Sequence, residues 1–107
     1  MDITSLIHQM LSAATTAAKG HATDLKNYLQ TRTKLIAAGT AAIAKDLASN
    51  QITKEDAKFA FEEIRKTEGT AKLAVEATLQ AAAQDAINAA LGVAASAINK
   101  AAGFAVI

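Results

Sequence analysis

Apolar residues return every eleven positions along this chain, and no proline interrupts them. Ile3, Ala14, Leu25, Ile36 and Leu47 form one lane, Ile7, Ala18, Leu29 and Thr40 a second, and Leu6, Ala17, Tyr28 and Gly39 a third. Eleven residues fill three helical turns at about 3.67 residues per turn, which packs nearly straight or with a slight right-handed twist. A heptad count from Ile3 fails, because it brings Asp24 and Thr31 into the seam. The lanes pass Gly20 and Gly39 in phase. That predicts one continuous helix over residues 2–48, about 70 Å long at 1.5 Å per residue. A break at Gly20–His21 is the competing reading.

The composition supports helix throughout. Alanine, the best helix former, supplies about a quarter of the chain, and strand formers are thin, with three valines, three phenylalanines and one tyrosine. Asp2, Thr4 and Ser5 suit a helix start. The expected class is all-α, in a single domain over residues 1–107.

One stretch, Ser49 to Asp56, carries a strong stop-and-restart signal near the midpoint. Lys45 suits the negative end of a helix dipole, and Asn50 suits a left-handed C′ position. Thr53 and Asp56 have capping-box spacing, and Ile52 precedes them as a hydrophobic staple against Ala57. A turn over 49–53 and a second helix over 54–103 follow. In that helix the lanes again step by eleven: Ala60, Ala71, Ala82, Val93 and Phe104, beside Ile64, Val75, Ala86 and Ala97. They pass Gly69 in phase. Lys58–Glu62, Glu62–Lys66 and Glu68–Lys72 are spaced for weak supporting pairs on a solvated face.

Together these features predict a long antiparallel two-helix hairpin whose facing residues have numbers summing to about 101. That register sets Ile36 against Ile64 and Arg32 against Glu68. At the open end it sets Ile3, Ile7 and Met10 against Leu91, Ala94 and Ile98. The apolar stripes are two to three lanes wide, more than one partner helix covers. Leu6, Met10, Leu11, Ile87, Leu91, Ile98 and Phe104 are therefore expected to face a partner. Pairing of two hairpins into a four-helix bundle would cover them.

The side-chain chemistry excludes more than it suggests. With no cysteine there is no disulfide or thiolate site, and with no Glu-x-x-His, His-Glu-x-x-His or EF-hand pattern no metal site is expected. His8 and His21 lie about 20 Å apart on one helix. Glu62 and Glu63 point apart, the serines lack an activating His and Asp, and no glycine-rich phosphate loop is present. A net charge of +1 with two arginines gives no pull towards nucleic acid.

The expected function is thus a non-enzymatic structural or protein-interaction module without cofactors. It self-associates, as a dimer, through alanine-rich helix faces, and a further protein partner is compatible with the same surface. The alternative is a membrane-surface-binding or pore-forming protein acting through the amphipathic segment 86–107. Asn88, Ser96, Asn99 and Lys100 make that segment amphipathic rather than spanning. Gly92 and Ser96 have small-xxx-small spacing, which an alanine-rich chain produces readily. The N-terminus lacks the features of a secretory signal, so the cytoplasm is the default expectation.

Overall fold

The computed structural model describes residues 2–103 and 106–107. Among the described residues every regular element is helical. The elements are α1 (Ile3–Ala18), α2 (Lys26–Ala48), α3 (Lys54–Ala71) and α4 (Gln80–Ala102), with 3-10 turns at Lys19–His21, Lys72–Ala74 and Ala77–Leu79.

The all-helical class is therefore present, but each expected long helix is divided. The first ends at Ala18 and resumes at Lys26; the second ends at Ala71 and resumes at Gln80. Instead of a rod of about 70 Å, the molecule measures 42 × 24 × 19 Å. The physical reason lies in the width of the apolar stripes. A straight hairpin leaves part of each stripe in water, whereas a chain doubled back covers it with its own helices. Four helices thus pack within one chain, where the sequence pattern suggested two from each of two chains.

α4 lies chiefly on α1 and α2, and α3 lies chiefly on α2. α4 buries Ala83, Ala86, Ile87, Ala90, Leu91, Ala94 and Ile98. α1 presents Leu6, Met10, Ala14 and Ala18, one residue per turn. Alanine at so many contacts lets helix axes approach to about 8 Å. Phe61, Met10, Leu25, Leu29, Ile36, Ile87, Leu91 and Ile98 supply the bulk of the core. Each such side chain contributes roughly 1.5–3 kcal/mol when buried. Thr33 and Thr40 are also fully buried, and their hydroxyls donate to the Leu29 and Ile36 carbonyls of their own helix at 2.7 Å.

The turn between α2 and α3 follows from its residues. Asn50 takes a left-handed φ of 59°. Its N–H donates to the Leu47 carbonyl and that of Gln51 to the Asp46 carbonyl, which is a Schellman closure. Thr53 and Asp56 then form a reciprocal capping box at 3.0 and 3.1 Å. Ile52 is half-buried against the core. From this turn α3 runs back along α2. Arg32 meets Glu68, and a Cβ on Gly39 would lie 2.8 Å from Ile64 Cδ1.

The charged face of α3 differs in detail from the i, i+4 expectation. Arg65 pairs with Glu62 at 3.4 Å and Lys66 with Glu63 at 3.6 Å, both at i, i+3, while Glu68 turns inward to Arg32. Arg65 also sits 5.2 Å above the Phe61 ring.

Gly39→Leu is expected to lower unfolding stability by about 1–3 kcal/mol through overpacking against Ile64. Gly69, where an added Cβ meets nothing within 4 Å, is expected to behave oppositely. Gly69→Ala should raise stability by about 0.5–1 kcal/mol. Urea denaturation followed by circular dichroism measures both.

Candidate interaction groove

The N-terminal half of α1 and the C-terminal half of α4 border an open groove of about 710 Å³. Asp2, Ser5, Leu6 and Gln9 line one side, and Ala89, Gly92, Val93, Ser96, Ala97, Lys100 and Ala101 the other. The two helices are antiparallel here, since the start of α1 shares the groove with the end of α4. Residues 89, 93, 96 and 100 recur at helical spacing, so one stripe of α4 forms the wall. Its side chains are small, and Gly92 has open space where a Cβ would stand. The rim is polar. Asp2 holds the start of α1, its Oδ1 accepting from the Thr4 and Ser5 N–H groups at 3.0 and 3.3 Å.

Most residues expected to face a partner lie elsewhere. Leu6, Met10, Ile87, Leu91 and Ile98 are buried in the chain's own core, and Leu11 is half-buried against it. Only Leu6 also reaches the groove. The same doubling-back that shortens the molecule consumes these surfaces. Phe104 lies outside the described residues. Val106 is buried, and Asn99 fastens it: its Oδ1 accepts from the Val106 and Ile107 N–H groups at 2.8 and 2.9 Å, and its Nδ2 donates to the Ile107 carbonyl.

The groove is the feature that reading the sequence passed over. Its one signal, the Gly92–Ser96 spacing, is hard to distinguish from background when alanine is so common.

A polar cluster sits between α2 and α3. Arg32 Nε and Nη2 donate to the two Glu68 carboxylate oxygens at 2.8 and 2.5 Å. Glu68 is 3% exposed, whereas Arg32 reaches solvent at 19%. The Glu68 hydrogen bond pushes the Arg32 guanidinium further up. Tyr28 stands one turn before Arg32, and its hydroxyl is buried without a hydrogen-bond partner. Burial raises the Tyr28 pKa above 10.0, the nearby Glu68 charge raises it too, and Arg32 partly offsets both. The cluster ties α3 to α2, and its one open valence is that hydroxyl.

Among the described residues, no group of three or more His, Cys, Asp or Glu is arranged to hold a metal ion. Among them too, no helix is long and apolar enough to cross a membrane. Fold and groove together define an all-α protein of four packed helices with one small-residue cleft open between α1 and α4. Comparison with family models, with curated proteins and with solved structures finds no match.

Arg32→Ala strands the buried Glu68 carboxylate and is expected to cost about 3 kcal/mol in chemical denaturation. Tyr28→Phe removes an unpaired buried hydroxyl and should gain about 1 kcal/mol. Because folding raises the Tyr28 pKa, its contribution is complete below about pH 10 and is lost as pH climbs through the folded value. The Phe variant should accordingly lose less stability than the parent when Tm is measured above that pH.

Proposed function

We propose that this protein is a non-enzymatic helical interaction module that self-associates through its alanine-rich surface. The groove between α1 and α4 is the observation that carries the reading. Its wall is made of Ala89, Gly92, Val93 and Ala97, with Leu6 opposite, and a ridge of side chains from another helix fits against such small residues. Ser5, Gln9 and Ser96 on the rim supply hydrogen-bonding groups around an apolar centre, the usual anatomy of a protein contact. The partner that fits first is a second copy of the chain, since its own alanine-rich helices have the matching relief. A helix from another protein would use the same cleft.

The membrane alternative rests on the amphipathic segment 86–107. In the folded chain the apolar side of α4 packs on α1 and α2, so lipid would have to compete with the core for Ile87, Leu91 and Ile98. That weighs towards protein contact.

Gly92→Arg separates groove docking from folding, because a Cβ there meets nothing within 4 Å and Gly92 lines the open groove. Sedimentation equilibrium is expected to show a concentration-dependent dimer for the parent chain. The variant should be folded, with association at least about tenfold weaker, corresponding to 1.4 kcal/mol. A parent chain that stays monomeric at high micromolar concentration defeats the reading.

A further inference from the structure

The helix ends of this chain fall into two sets. At the outer ends, Asp2 caps the start of α1, the Schellman closure with Asn50 ends α2, the Thr53–Asp56 box starts α3, and left-handed Gly103 ends α4. Charges that complement the helix dipole stand there too: Glu55 and Asp56 at the start of α3, Lys45 and Lys100 at the ends of α2 and α4. The four inner ends are less marked. Leu25 and Leu79 cap α2 and α4 without a side-chain hydrogen bond, and no acidic residue occupies either first turn. At the ends of α1 and α3 the basic residues are the C-cap residues themselves, Lys19 and Lys72. Side-chain caps thus mark the starts of the two long helices and are missing from the two helix starts inside them, while across the second joint Gln80 Nε2 donates to the Val75 carbonyl at 3.0 Å.

The joints interrupt α-helix over residues 19–25 and 72–79, and one is strained. In the first, Lys19 has φ 53° and ψ −126°, a conformation that favours glycine and costs a side-chain-bearing residue. In the second, Val75 (ψ 148°) and Glu76 (ψ 139°) are extended, with helical backbone at Lys72 before them and Gln80 after. The eleven-residue lanes cross both joints in phase. Under the register that pairs Arg32 with Glu68, the two joints lie opposite each other.

We propose that the chain has a second folded state, in which both joints straighten into helix and two copies exchange halves. In the compact state the α1–α4 half packs on the α2–α3 half of its own chain. In the exchanged dimer it packs on the α2–α3 half of a second copy, with the buried faces of α2 and α4 remade between chains. Burial is conserved, the strain at Lys19 is released, and the uncapped ends disappear, which makes exchange a low-cost route to a dimer. This goes beyond docking at the groove and does not use it, so Gly92→Arg leaves exchange intact.

The chain has no cysteine, so Thr4→Cys and Lys45→Cys, both at exposed positions, take spin labels cleanly. Doubly labelled chain is mixed with excess unlabelled chain, refolded at high concentration and separated by size. Pulsed electron resonance then reads the distance within one chain. The monomer is expected to hold the pair within its 42 Å long dimension, and the dimer to show about 60 Å, the span of continuous helix.

Glu76→Pro is the discriminating variant. Proline fits φ −50° after an extended Val75 but breaks a helix running through residue 76. The compact monomer should keep its helicity and Tm while the exchanged dimer weakens about 100-fold or more. Lys19→Gly relaxes the strained joint without proline and should reduce the dimer about tenfold. A dimer with only the short distance, or one indifferent to both variants, overturns exchange and leaves groove docking standing. The absence of any dimer overturns both.

Discussion

A helix that is apolar around much of its circumference needs two neighbours, and α4 is such a helix. Its buried residues, from Ala83 to Ile98, cover more arc than one partner reaches, so α1 takes one flank and α2 the other. The rest of the architecture follows from that requirement. α1 must return from the start of α2 to meet α4, which places a joint at Lys19. α4 must return from the end of α3, which places another at Val75 and Glu76. α3 contributes least to α4 and is held instead by α2.

Alanine recurs along the buried faces of α1 and α4, so close approach over many small surfaces adds to what Leu6, Met10, Ile87, Leu91 and Ile98 contribute. Specificity has to come from elsewhere. The Arg32–Glu68 pair sits where α3 crosses α2, and its two-point geometry admits one register. A single buried pair of this kind adds little net stability, but its loss leaves a charge without compensation. Gly39 acts with it, since the contact with Ile64 leaves little room for a slipped alignment.

The sequence exposed the local logic of this chain more clearly than its global fold. Helical class, the turn at Asn50, the Thr53–Asp56 box and the cap at Asp2 could all be read directly, because each is decided by residues within one turn of helix. The facing of Arg32 and Glu68 was readable because a short turn transmits register. The first joint was half legible: Gly20–His21 offered a break, which falls where α1 ends, but the lanes in phase on either side favoured a continuous helix. The second was not, since Val75 and Glu76 carry no breaker signal, so local preference and tertiary burial point in opposite directions there. Burial prevails, and it also moves Met10, Ile87, Leu91 and Ile98 from an expected partner surface into the core. The groove was hidden for a different reason: it is defined by missing bulk at Gly92 and its neighbours, and alanine-rich sequence lacks bulk nearly everywhere.

The position of α4 at the far end of the fold has a consequence for synthesis. The turn at Asn50 closes a local contact, so α2 and α3 can associate as soon as both have left the ribosome. The contacts of α1 with α4 join segments most of the chain apart, and such non-local pairings form late. Until α4 emerges, Leu6, Met10 and Leu29 have no permanent cover. A nascent chain therefore carries its most adhesive surface longest, and neighbouring copies translated from one message would meet each other in that state.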